Sequence, residues 1–246
     1  MNKSARMFGA ALLIAVAGAA ANASADVTAR GGASSLDATV IFQRSGSDLM
    51  VTLLNSSSAD VLSPEDVLTG VFFNISGPTV PLVAQSAALS EGSMVRWGDS
   101  EMGGGVGGEW AFRAGLSGAP GGATFGISAA GLGLFGPHDA FPGANLFGQN
   151  GPQGLDYGLL SAGDNPLTGN TPVTGQFPLI QSGVVFTLSG LPEDFELGAI
   201  GNVWVQYGTS LSEPSYVVPI ISVPAPGAAV MLAGGAFALA RRRRAA

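Results

Sequence analysis

The sequence predicts an all-β protein: a two-sheet β-sandwich of jelly-roll type, carrying long glycine-rich irregular loops. Three observations predict it. Short runs of β-branched and aromatic residues alternate with turn formers. No stretch of the body repeats apolar residues at helical spacing. Glycine and proline, 38 and 15 of 246 residues, punctuate the chain too often for long helices. The body spans residues 26–222, enough for one domain with a sizeable core.

The elements follow in order. Residues 39–43 and 49–54 read as two strands joined by Arg44-Ser45-Gly46-Ser47-Asp48, five turn formers that make a hairpin. In the second run Leu49, Val51 and Leu53 share one face and Met50, Thr52 and Leu54 the other, so both faces are expected to be largely covered. Residues 62–68 predict a short helix, with Ser63 as N-cap, Pro64 at its first position and Glu65 and Asp66 in the first turn. Val71-Phe72-Phe73-Asn74-Ile75 is a third strand, stopped by Ser76-Gly77-Pro78. Residues 183–188 and 203–207 make a fourth and a fifth. Between them, residues 103–169 hold 20 glycines and 5 prolines, a composition of disordered chain. Yet Trp110, Phe112, Phe125, Phe135, Phe141, Phe147 and Tyr157 recur there, and disordered segments lack such residues. The expectation is ordered loops whose aromatics plug into the sandwich while glycines take up left-handed turns.

Charge is segregated. Lys3 and Arg6 open the chain and Arg241, Arg242, Arg243 and Arg244 nearly close it. Between them Arg30, Arg44, Arg96 and Arg113 face all 17 acidic residues, a balance of −13 without one lysine. Four scattered arginines cannot neutralise a run of phosphates, which excludes nucleic acid as a partner. A body without lysine has no Walker-A lysine, Schiff-base amine or Ser–Lys dyad. The absence of cysteine removes disulfides, thiol nucleophiles and zinc–thiolate sites.

Both ends read as addresses. Lys3 and Arg6 precede an apolar run over residues 7–21, and Ala23-Ser24-Ala25 supplies the small side chains a signal peptidase accepts. Residues 1–25 are therefore a secretory signal, cleaved before Asp26; the run is short against the about 20 apolar residues of a membrane span. At the other end, residues 228–240 are apolar and precede the arginine block. As a helix they reach about 20 Å, against a hydrocarbon core about 30 Å thick. That suits a transient stop-transfer transmembrane segment with the arginines held on the cytoplasmic side.

Val223-Pro224-Ala225-Pro226-Gly227, the short apolar run and the arginine block together resemble a PEP-CTERM sorting tail, the mark of exosortase substrates. Ala225 stands where the usual motif has Glu. The resemblance implies a tail over residues 223–246, export through the inner membrane, cleavage near the Pro-x-Pro by an exosortase-type enzyme, and a mature protein secreted to the cell surface or extracellular matrix. Three body segments also resemble exosortase-dependent surface proteins: Phe135-Gly136-Pro137-His138-Asp139-Ala140-Phe141-Pro142-Gly143-Ala144-Asn145-Leu146, Gly154-Leu155-Asp156-Tyr157-Gly158 and Val203-Trp204-Val205-Gln206-Tyr207-Gly208-Thr209. That likeness brings no catalytic residues.

Catalytic patterns are weak. His138 is the single histidine and neighbours Asp139, but adjacent residues on an extended chain point apart, so no triad is expected. The Gly-x-Gly-x-x-Gly matches at Gly103–Gly108 and Gly131–Gly136 open no long helix, as dinucleotide binding requires. Carboxylates gather at Asp99 and Glu101 and at Glu193, Asp194 and Glu196; two could serve a glycan hydrolase only if they faced each other. Asp164, Asn165 and Asn170 offer oxygens to a loop-built calcium site, but no calcium motif is present and no cofactor is expected. Trp97 and Trp110 flank the acidic glycine-rich loop and are candidate sugar contacts. The sequence thus predicts a non-catalytic display or matrix protein, with a carbohydrate-binding module for extracellular polysaccharide as the alternative.

Overall fold

The computed structural model describes residues 26–135, 152 and 154–222. The signal and tail segments, and the stretch holding His138, Asp139, Phe141 and Phe147, lie outside the described residues. The strands in chain order are β1 (Val27–Ala33), β2 (Leu36–Ser45), β3 (Asp48–Asn55), β4 (Leu68–Ile75), β5 (Val83–Leu89), β6 (Met94–Arg96), β7 (Ala111–Ala114), β8 (Phe125–Ser128), β9 (Leu159–Leu160), β10 (Leu179–Gln181), β11 (Gly183–Ser189), β12 (Ile200–Tyr207), β13 (Ser215–Val217) and β14 (Ile220–Ser222). They form a six-stranded sheet, β14-β1-β2-β3-β11-β5, and an eight-stranded sheet, β13-β12-β4-β9-β10-β6, in which β8 pairs with β4 and β7 with β8. The chain runs β1–β2–β3 as adjacent hairpins, then crosses repeatedly between the sheets before β13 and β14 close one side of both.

The β2–β3 hairpin is tighter than the sequence suggests. Ser45 pairs with Asp48, so Gly46-Ser47 alone turns the chain. Gly46 sits at φ +61°, as the first residue of a two-residue loop that follows strand twist requires. Arg44 is no turn residue. Its guanidinium donates to the carbonyls of Phe195, Pro192 and Glu193 at 2.8, 3.0 and 2.8 Å, pinning the loop before β12.

The expected helix at residues 62–68 is a single 3-10 turn, Pro64–Asp66. The Asp66 carboxylate accepts the Leu62 and Ser63 backbone N–H groups at 3.1 Å, and Leu68 already belongs to β4.

Alternation builds the core. Val40, Phe42, Leu49, Val51, Leu53, Val184, Phe186 and Leu188 point inward from the six-stranded sheet with no exposure. They meet Val71, Phe73, Ile127, Leu159, Ile180 and Val205 of the other. Phe42 meets Phe73 edge-on at 5.2 Å and Trp110 lies 5.0 Å from Phe186. Burial of each such side chain contributes about 1.5–3 kcal/mol. On the outer face Met50, Thr52 and Leu54 are half-buried by their neighbours. Full cover on both faces belongs instead to β4, buried from Leu68 to Phe73. Phe72 points outward beneath Leu116, Ala119, Ala123 and Phe135, so the glycine-rich loops form a third layer over the eight-stranded sheet. Among the described residues no helix is long and apolar enough to cross a membrane.

Candidate functional site

Of the candidate residues, Trp97 and Asp99 share one corner with Tyr157. β6 ends at Arg96, whose guanidinium donates to Gln181 on β10. The next residue, Trp97, lies at φ +56°, where a bulky side chain costs about 1–2 kcal/mol. Gly175 passes beneath its indole so closely that an added Cβ would stand 3.4 Å from Nε1. Gly98 abuts Pro178, where a Cβ would come within 2.5 Å. The Tyr157 hydroxyl donates to the Asp99 carbonyl at 2.9 Å, and its backbone N–H to the Pro178 carbonyl at 2.7 Å. Tyr157 too is left-handed, at φ +58°. Trp97 remains 40 % exposed.

The two tryptophans part company. Trp110 follows a 3-10 turn, Gly107–Glu109, and is fully buried against Phe186, so it has no face to offer a sugar. The expectation that both flank an accessible loop is corrected: their spacing in sequence matched, but Val106 and Trp110 belong to the inter-sheet core.

Glu109, which the sequence did not single out, is 8 % exposed, and its backbone N–H donates to the Val106 carbonyl at 3.1 Å. Burial first, and the Asp156 carboxylate second, push its pKa up to about 7. Asp156 is raised by burial, and its buried Oδ1 has no partner. Tyr157 is raised by burial, then by the negative charges of Glu109, Asp99 and Asp156. Trp110 Nε1 is also buried without a partner. A Glu within a glycine run directly before a Trp is the signal that could have marked Glu109.

The remaining candidates do structural work. Asp164 accepts the Val61 N–H at 2.9 Å, and Asp60 accepts the Asn165 N–H at 2.8 Å and the Thr168 hydroxyl at 3.0 Å. Asn170 precedes the 3-10 turn Thr171–Val173. Glu193, Asp194 and Glu196 lie on the loop that Arg44 holds by backbone carbonyls, not by their carboxylates. Among the described residues no three Asp, Glu or His side chains are grouped to hold a metal ion. Gly103 and Gly104 turn left-handed and lead to the 3-10 turn, not to a phosphate-binding helix.

A concavity elsewhere was not anticipated. β12 bulges between Gly201 and Trp204, with Asn202 at φ +48°. Beside it lies an open pocket of about 540 Å³ lined by Asn74, Ser76, Thr124, Gly201 and Asn202. Asn74 already accepts the Thr124 N–H at 2.8 Å, and Asn202 accepts the Trp204 indole N–H at 3.0 Å, so the lining is neutral and largely satisfied. The Gly201-Asn202 pair interrupting a strand is the sequence signal of that bulge. No family model, curated protein or solved structure matches the chain.

Proposed function

We propose that the protein is an exported, exosortase-processed surface or matrix protein whose role is display rather than catalysis. One observation carries the reading: β1 begins at Val27 and β14 ends at Ser222, and these two residues pair directly. The points where the expected signal and tail join the described body therefore lie on neighbouring, paired strands. Cleavage before Asp26 and near Pro226 would leave every described strand whole. The acidic body then faces the outside, kept soluble by its own charge. Signal peptidase and an exosortase-type enzyme are its processing partners, and it meets the membrane only in transit.

The test is fractionation of cells expressing a Pro224→Ala, Pro226→Ala double variant. The reading expects this variant to accumulate in the inner membrane with its arginine block attached, while the parent reaches the surface. Equal surface yield of both would remove the sorting role of the motif.

One observation favours a second reading, a carbohydrate-binding module. Trp97 is 40 % exposed in a costly left-handed backbone conformation. Its acidic surroundings suit neutral or amino sugars over anionic ones. Binding to neutral polysaccharide that Trp97→Ala abolishes would support it; unchanged binding would dismiss it.

A further inference from the structure

We propose that the concavity beside the β12 bulge is a binding site for a neutral sugar residue. The ladder between β4 and β12 steps from Asn74–Gly201 to Phe72–Trp204, so Asn202 and Val203 together face Phe73. The bulge holds Asn202 left-handed at φ +48°, at the wall of a pocket of about 540 Å³. Small-molecule sites ordinarily measure about 300–1,000 Å³.

Two glycines of the wall carry the argument. Gly198 and Gly201 lie outside the left-handed region, so neither backbone requires glycine. Packing does not require it either, because a Cβ on Gly198 or Gly201 would meet no described atom within 4 Å. Glycine weakens a strand, and a strand keeps one where the chain bends or where something must approach its backbone closely. The left-handed residue of this bend is Asn202, which leaves close approach as the role of Gly201.

The polar groups are oriented in advance. Asn74 Oδ1 accepts the Thr124 N–H at 2.8 Å and the Thr124 hydroxyl at 3.0 Å, which fixes the amide plane. Among the described residues no acceptor takes the Asn74 Nδ2 hydrogens. Asn202 is held at both ends, by the Gly121 carbonyl at 3.0 Å and the Trp204 indole N–H at 3.0 Å. The Ser76 hydroxyl donates to the Ala199 carbonyl at 3.1 Å, and its oxygen can still accept. The described lining holds no ionisable side chain, and Ile75 and Ile200 supply its apolar part. A charged ligand would stay unpaired there. A sugar ring brings hydroxyls for Asn74 and Ser76 and C–H surface for the isoleucines. β6, which leads to Trp97, is the far edge of this sheet, so the site stands apart from Trp97.

The experiment is an amide-shift titration of the isotope-labelled full chain with millimolar glucose, galactose and N-acetylglucosamine. Saturable shifts are expected at Ser76, Thr124 and Asn202 with at least one of these sugars. Gly201→Val should weaken that binding at least about tenfold. Its Tm should hold or rise, because valine favours a strand and here meets open space. Gly198→Ala should weaken binding as well, and it carries the test if Gly201→Val folds poorly. Trp97→Ala should bind as the parent does. The absence of saturable shifts at these residues with every sugar overturns the proposal, as does parental affinity in both glycine variants. Equal shifts from glycerol would overturn it by showing a solvent effect. Shifts confined to the Trp97 corner would overturn it by placing the sugar there instead.

Discussion

At the residue scale, two tryptophans thirteen positions apart have opposite energetics. Trp110 has no exposed surface and packs 5.0 Å from Phe186. Its replacement by alanine is expected to cost about 3–5 kcal/mol, read by urea denaturation. Trp97→Gly is expected to cost less than about 1 kcal/mol, because relief of the left-handed strain offsets the lost contact with Gly175. Equal losses would mean that Trp97 is a core residue after all. Asn55, 2 % exposed, donates to the Leu159 carbonyl at 3.0 Å and so ties β3 of one sheet to β9 of the other. Asn55→Ala leaves that carbonyl buried without its donor and should cost about 1–3 kcal/mol.

At the scale of elements, the loop before β12 depends on one side chain. Arg44 holds three of its carbonyls with a planar fork that lysine does not have. Arg44→Lys and Arg44→Ala should both speed proteolysis at residues 190–197, the alanine more, while far-ultraviolet dichroism stays that of the parent. Cleavage at the parental rate would show that the loop is held by its own turns. Alternation made β2, β3, β11 and β12 legible in the sequence, because one face of each meets a core and a period of two records that. The continuous run Val71-Phe72-Phe73 announced a strand, but its second cover comes from residues 116–135, far along the chain, which no local pattern encodes. The same limit applies to the site. Trp97 and Trp110 were visible as residue types, but burial is settled by tertiary packing. Glu109 stands in a glycine-rich stretch, and its burial comes from packing that no spacing rule encodes. Arg44 looked like a turn former because its partners are carbonyls about 150 residues away.

At the scale of the whole molecule, charge and topology agree. A body with four arginines and 17 acidic residues repels itself. Screening reduces that repulsion beyond about 10 Å at 0.1 M salt. Tm at pH 8 should therefore rise with sodium chloride, and a fall would show that attractive pairs such as Arg30–Asp37 dominate. The ends of the sandwich adjoin at Val27 and Ser222, with Val218 donating to the Val203 carbonyl at 2.8 Å just before the chain steps from one sheet to the other. Every described strand thus lies between the two expected cleavage points, as a delivered and trimmed protein requires. The most direct measurement is the intact mass of the protein recovered from the cell surface. The account predicts a species that starts at Asp26 and ends near Pro226, without Arg241–Arg244. A surface species that keeps both Met1 and the arginine block contradicts it.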